Sequence, residues 1–260
     1  MAIEATKHYV KNYSANESIG SKMTLSPNNI KYTFEAIKNL IELKYSVIYA
    51  NCVYEEGWEL HHATEFYYQL KKLSDYLLTL GDLEDKLYIS LFEEFFFMPD
   101  IDDTNWCGGN GRMLAVDWRG QFYPCVRYMD SSLGTKVKPI ILGNTFDGLV
   151  TKEEEKKWVE ELQAMTRTSQ SPQKCLDCQI SRGCSWCSAY NYEYYGKLNK
   201  RTTFICDMHK ARALANVYFW NKYYKVLGED TKKLCYLSKE EAIKIIPEEE
   251  YEMLIELTKN

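Results

Sequence analysis

The chain has 260 residues, 45 % of them hydrophobic and 27 % charged, with a formal net charge of −5. That length carries one large or two modest domains, and the mixture is ordinary for a globular protein. The acidic balance excludes a general nucleic-acid binder, which would carry a basic stripe, and no apolar run reaches the roughly eighteen residues of a membrane span. The N-terminus, MAIEATKHYVKNYS, lacks the apolar core of a secretory signal. A cytoplasmic location is the expectation, and in that reducing compartment grouped cysteines are more often metal ligands than disulfides.

Residues 1–98 read as alternating helix and strand. Ile3 to Tyr13 is patterned as a helix, and SKMTLS (Ser21 to Ser26) as a short strand. Pro27-Asn28-Asn29 opens a helix with Ile30, Phe34, Ile37, Leu40 and Ile41 on one face. SVIYANC (Ser46 to Cys52) is continuously apolar, the pattern of a parallel strand covered on both faces. A helix over Ala63 to Leu80 and a third strand, LYISLF (Leu87 to Phe92), follow. Such alternation predicts a parallel α/β sheet, although three units are few for a free-standing domain. Composition changes at Pro99. MLAVDWRGQFYPCVRY (Met113 to Tyr128) predicts a β-hairpin turning at Trp118-Arg119-Gly120, and Glu153 to Met165 a charged, exposed helix. Asp207 is placed to cap a helix reaching Leu227, and SKEEA (Ser238 to Ala242) has the form of a capping box opening a short terminal helix.

The nine cysteines are unevenly spread. Cys52 and Cys235 stand apart, while Cys107, Cys125, Cys175, Cys178, Cys184, Cys187 and Cys206 crowd one stretch. Thiolates are soft ligands that suit zinc and iron–sulfur clusters. KCLDCQISRGCSWC (Lys174 to Cys187) holds two C-x2-C pairs five residues apart. One closed zinc site would use Cys175, Cys178, Cys184 and Cys187 and leave three cysteines unexplained. Two iron–sulfur clusters would use all seven, four at one and three at the other.

The order of those seven positions resembles the SPASM domain, the auxiliary-cluster domain of radical SAM enzymes that modify peptides. The resemblance covers about residues 105–210. The family's second block is usually C-x2-C-x5-C-x3-C, whereas here only Ser185 and Trp186 separate the last pair. The stretches NWCGGNGRMLAVDWRGQFYPCVRYMDSSLG and CSWCSAYNYEYYGKLNKRTTFICDMHKARALANVYFWNKYY further resemble the maturases of the CXXX-repeat-target type. The resemblance implies a first auxiliary 4Fe–4S cluster on Cys107, Cys125 and Cys187, and a second on Cys175, Cys178, Cys184 and Cys206. Some relatives have a further cysteine where Met113 stands here, so the first cluster is expected to keep one iron open to a substrate thiolate.

No C-x3-C-x2-C motif, which in that family holds the cluster that cleaves S-adenosylmethionine, occurs in the chain. By this resemblance the chain is the C-terminal portion of a longer enzyme. It comprises half of a partial (β/α)6 barrel over 1–98, a cysteine-rich SPASM iron–sulfur domain with a β-hairpin and helices over 99–227, and a helical tail over 228–260. S-adenosylmethionine and a third cluster are implied only for the full-length parent, as is the 5′-deoxyadenosyl radical that removes hydrogen from a peptide carbon. The implied substrate is a ribosomally made precursor peptide and the implied product a thioether. A missing N-terminal half is the expected protein partner, because a half barrel leaves a strand edge unpaired and one sheet face bare. Ser26 and Asn51, at C-terminal ends of strands, are candidates to touch S-adenosylmethionine in the whole enzyme. The alternative from another class is a non-enzymatic zinc-binding or electron-transfer module.

Blander readings stand beside these. Cys52 and Cys235 read as small buried hydrophobes, and His61-His62 as surface residues. The glycines of CGGNG (Cys107 to Gly111) serve either cluster approach or a tight turn. EEFFFMP (Glu93 to Pro99) reads as core rather than as a peptide groove, and Glu153 to Glu155 and Glu248 to Glu250 as solvated faces.

Overall fold

Hydrophobic alternation in the first third of the chain builds a parallel sheet, and short glycine-punctuated runs further on build an antiparallel one. A computed structural model describes residues 2–13, 19–81, 83, 86–94, 107–134, 136–230 and 232–259. The fold is mixed α/β with two small sheets and divides into two units, Met1–Phe97 with Phe204–Asn260, and Met98–Thr203. The segment after Phe204 thus joins the first unit, where the sequence reading divided it between the cysteine-rich region and a tail. Among the described residues no helix is long and apolar enough to cross a membrane.

In the first unit, strands Gly20–Leu25, Val47–Cys52 and Tyr88–Ile89 run parallel in that order, with Leu25 opposite Cys52 and Thr24 opposite Asn51. Helices Thr33–Glu42 and Leu60–Thr79 connect them. The third strand is shorter than LYISLF suggested, because Ser90–Phe92 turns into a 3₁₀ helix. Ser90 is then free to turn its hydroxyl to the Val47–Cys52 strand, accepting from Ala50 N–H at 2.9 Å. The helix expected from Pro27 begins as a 3₁₀ turn at Ile30–Tyr32. Asn29 accounts for this delay: its side chain accepts from Ser26 N–H at 2.7 Å and donates to the Thr24 carbonyl at 3.2 Å, holding the strand end in a turn.

The sheet is covered on one face rather than on both. Ile48, Ala50 and Cys52 are buried, whereas Tyr49 and Asn51 are exposed, as strand alternation demands when one face stays open. Tyr49 and Tyr88 share that open face, with rings 5.5 Å apart.

Helix Cys206–Leu227 is the core of the first unit and packs along Leu60–Thr79. Most of its length is buried, so it carries polar residues that must find partners inside. Asn216 donates to the Leu91 carbonyl at 2.8 Å, Arg212 to the same carbonyl at 3.0 Å, and Tyr218 to Asp75 at 2.6 Å. Asp207 is not its cap. The helix begins at Cys206 after Ile205, and Asp207 sits in the first turn, where its charge complements the helix dipole. Ser238 does cap the Lys239–Ala242 helix, accepting from Glu241 N–H. The last helix, Glu248–Leu257, is not a purely solvated face, because Glu250 accepts from Tyr67 at 2.6 Å and pairs with Lys71. His61 and His62 begin the Leu60–Thr79 helix, with His62 Nδ1 accepting from Glu59 N–H at 3.0 Å. Phe95 to Pro99 of EEFFFMP lie outside the described residues.

In the second unit, strands Ala115–Val116, Gln121–Tyr123, Gly143–Asn144 and Gly148–Leu149 form an antiparallel sheet in chain order. The expected hairpin is present. Asp117 ties its turn by accepting from the N–H groups of Arg119 and Gln121, both at 2.9 Å. Gly120 takes φ +77°, and a Cβ there would come within 2.3 Å of Thr145 Oγ1, so the turn and the next strand both require glycine. The core holds Tyr123, Tyr128, Leu133, Ile140, Leu142, Leu162 and Tyr192. Glu153–Gln163 is helical, but Glu155 is buried. Its carboxylate accepts from Thr151 N–H at 2.7 Å and Lys152 N–H at 2.9 Å, closing the helix N-terminus.

Two outcomes follow from these contacts. Glu155→Ala removes the carboxylate that caps two N–H groups at the helix start and should lower the unfolding free energy by about 1 kcal/mol, whereas the exposed neighbour Glu154→Ala should stay within about 0.5 kcal/mol; urea denaturation separates them. In the first unit, the Lys210 and Lys244 ammoniums hold the Glu241 carboxyl down at about 2. A carboxylate held below its unfolded value stabilises the fold above that value, near 4.3, and the contribution drains away as pH falls toward about 2. Because the Glu241 side chain is 31 % exposed, solvent screening limits the effect to about 1 kcal/mol or less. Thermal unfolding from pH 5 to 2 should show this slope, and Glu241→Gln should flatten it.

Candidate metal centre

Three cysteines that are far apart in sequence come together in the second unit. Cys107 precedes the 3₁₀ turn Gly108–Asn110, Cys125 follows the hairpin, and Cys187 precedes helix Ser188–Tyr195. Ser188 joins them. It is fully buried, its hydroxyl accepts from Tyr128 at 2.9 Å, and it lies 3.8 Å from Cys107 Sγ. The Tyr128 N–H in turn reaches the Cys125 carbonyl at 3.0 Å. A Cβ on Gly109 would lie 3.4 Å from Cys107 Sγ and 3.6 Å from both Ser188 Oγ and the Tyr128 ring, so the backbone approaches this point closely. Gly111 takes φ +108° and closes the 3₁₀ turn. The glycine run therefore serves both roles left open by the sequence, approach at Gly109 and a tight turn at Gly111. Met113 packs beside Gly108, where a Cβ would meet its Cγ at 2.7 Å.

The Cys125 and Cys187 thiols are both held up. Burial pushes the Cys187 thiol up to about 11; the Tyr190 N–H, 3.4 Å from its sulfur, opposes this, and Cys107 and Cys125 add to it. Burial likewise raises Cys125, against backbone hydrogen bonds from Arg127 and Tyr128 and with Cys107 adding to the rise.

The second set follows a run of tight turns. Cys178 N–H reaches the Cys175 carbonyl at 3.4 Å, Ser181 N–H the Cys178 carbonyl at 3.0 Å, and Cys184 N–H the Ser181 carbonyl at 3.4 Å. Turns of period three bring residues at i and i+3 to one side, which is the reason for the spacing of Cys175, Cys178 and Cys184. Burial raises the Cys175 thiol, the charges of Arg201 and Lys174 oppose this, and Cys178 adds to it. Trp186, inside the CSWC motif, is buried, and its indole N–H has no partner among the described residues. Cys206 belongs to the first unit, where it opens a helix. Cys52 is buried and its thiol is pushed up to about 12 by burial, and Cys235 up to about 11 for the same reason.

The donors are all thiols, the soft chemistry that zinc and iron–sulfur clusters both take. No three His, Cys, Asp or Glu side chains stand close enough to share one metal ion among the described residues. A tetrahedral zinc with Zn–S bonds of about 2.3 Å needs sulfurs about 3.8 Å apart. A cluster in which each thiolate binds its own iron holds them wider. The unpartnered indole N–H between Cys184 and Cys187 also suits a sulfide acceptor.

Ser26 and Asn51 both reach the C-terminal edge of the parallel sheet on neighbouring strands, and Asn51 is exposed on its open face. Sequence reasoning missed Ser188, Tyr128 and Arg201, none of which is a ligand type. Only the adjacency of Ser188 to Cys187 hinted at one of them. No family model matches the chain, and no curated protein matches it.

The buried Asn191 joins the parts of this unit, donating to Gln170 Oε1 at 3.1 Å and accepting from Thr202 N–H at 2.9 Å. Asn191→Leu should cost about 2 to 3 kcal/mol by stranding those partners, read as a lower urea midpoint at unchanged slope.

Proposed function

We propose that this chain is the auxiliary iron–sulfur portion of a radical SAM enzyme that modifies a ribosomally made peptide, forming thioether links at substrate cysteines. Cys107, Cys125 and Cys187 hold one 4Fe–4S cluster. Cys175, Cys178 and Cys184 hold another, to which the sequence resemblance adds Cys206. The grouping of Cys107, Cys125 and Cys187 around Tyr128 and Ser188 carries the reading: Cys107 lies against Ser188, Cys187 precedes it, and the Cys125 carbonyl accepts from Tyr128 N–H.

The bound clusters would supply one-electron transfer and a binding point for soft anions. The chain's own residues do the rest. Tyr128 and Ser188 hold the Cys107 and Cys187 segments in register through their hydroxyls. Three protein thiols for four irons leave one iron free, and Met113, beside Gly108, replaces the fourth thiol with a weak thioether. A substrate cysteine thiolate is the ligand suited to that position. Ser26 and Asn51 present polar groups at the strand ends where S-adenosylmethionine would be held in the complete enzyme.

Anaerobic reconstitution followed by iron, sulfide and zinc analysis tests this. About eight iron and eight sulfide per chain are expected on the two-cluster count, falling by half in the triple variant Cys107→Ser, Cys125→Ser, Cys187→Ser. About one zinc and no iron would replace the reading with a structural zinc site in a binding module.

A further inference from the structure

Arg201 lies outside the cysteine pattern, yet its guanidinium is aimed at a cysteine. The residue is only 6 % exposed. A guanidinium keeps its charge at any accessible pH, so burying it demands hydrogen bonds and a compensating anion. Its Nη2 donates to Cys184 Sγ at 2.9 Å, the Cys184 carbonyl at 3.1 Å and the Ser185 carbonyl at 3.2 Å, and Nη1 donates to Ser171 Oγ at 3.4 Å. The guanidinium also lies over the Trp186 ring, 5.0 Å from its centroid. No carboxylate pairs with it among the described residues; its nearest acceptor is the Cys184 sulfur.

The placement is built into the unit. Arg201 N–H donates to the Gln170 carbonyl at 3.0 Å, and the next residue, Thr202, is tied to the fully buried Asn191 by its N–H and by its hydroxyl, at 2.9 and 3.2 Å. The first thiol set has a different electrostatic setting. Its nearby cation, Arg127, is already paired with Glu193 at 3.2 Å. One thiol set thus faces a neutralised cation and the other a bare one.

We propose that Arg201 is a positioning and tuning residue that raises the reduction potential of the cluster held by Cys175, Cys178 and Cys184 above that of the cluster held by Cys107, Cys125 and Cys187. This rests on the cluster assignment proposed above. Reduction adds one electron, and so one negative charge, to a cluster. A fixed buried cation stabilises that added charge, and an N–H donated to a ligand sulfur withdraws density from it. Both act in the same direction. Electrons delivered to this chain settle on the second cluster.

The test is a potentiometric titration of the anaerobically reconstituted full chain with dithionite, followed by electron paramagnetic resonance. Iron and sulfide are counted first, and the triple serine variant at Cys107, Cys125 and Cys187 identifies the second cluster's signal. In Arg201→Gln the reduced-to-oxidised ratio of that cluster at fixed potential should fall at least tenfold, about 59 mV for one electron. Arg201→Lys should fall less, keeping the charge without the planar fork. Glu193→Gln, which unmasks Arg127, should raise the first cluster's ratio instead. Wild-type chain without iron would overturn the cluster assignment and this inference together. A loaded wild type whose second signal is unmoved in Arg201→Gln would overturn the role of Arg201 alone. If Arg201→Gln fails to hold its cluster, an unshifted first signal in Glu193→Gln with an unshifted second signal in Arg201→Lys would overturn it equally.

Discussion

A buried hydroxyl must find partners, and those found by Ser188 determine where the first thiol set stands. Tyr128 donates to it and Cys107 lies against it, while Cys187 precedes it directly in the chain. If that contact were lost, the turn carrying Cys107, the segment after Cys125 and the start of helix Ser188–Tyr195 would no longer share a fixed point. The sheet of the second unit gives them little support, since none of its described strands exceeds three residues. Strands so short cannot sustain a sheet unaided. Side-chain hydrogen bonds, turns and a small aromatic core carry the load, and bound metal would add to it as staples do in small domains.

Polar groups buried in this unit are arranged as linked pairs. Asn191 ties Gln170 to Thr202, Gln170 accepts from the Arg201 backbone, and Arg201 closes on Cys184. Each link satisfies a group whose isolation would be costly. The chain from Asn191 to Cys184 thereby couples the packing of a helix to the charge beside a sulfur. A change in any one member reaches the thiol through hydrogen bonds rather than through the backbone alone.

The first unit solves a different problem. Its parallel sheet buries one face through Leu25, Ile48, Ala50 and Cys52, and leaves Tyr49, Asn51 and Tyr88 on the other. Helix Cys206–Leu227, sequence-distant from the strands, supplies much of the buried surface. Its asparagine and arginine side chains satisfy the carbonyls of Ser90 and Leu91, where the third strand ends early.

Much of the local architecture was legible in the sequence. Apolar periodicity marked the strands and helices, glycine with aspartate marked the hairpin, and the serine of SKEEA marked a cap, because these preferences act over a few residues. The cysteine spacing alone raised the expectation of soft-metal chemistry. What the sequence could not decide depended on groups brought together from afar. Glu155 and Glu250 read as solvated charges, yet Glu155 is itself buried against two backbone N–H groups and Glu250 meets the buried Tyr67. Asp207 read as a cap, yet the helix starts one residue earlier. Ser46 to Cys52 read as a strand covered twice, since apolarity does not say how many layers lie above it. The approach of Cys107 and Tyr128 to Ser188, and of Arg201 to Cys184, belong to tertiary structure alone, because hydrogen bonds across 17, 60 and 81 residues of chain leave no local pattern.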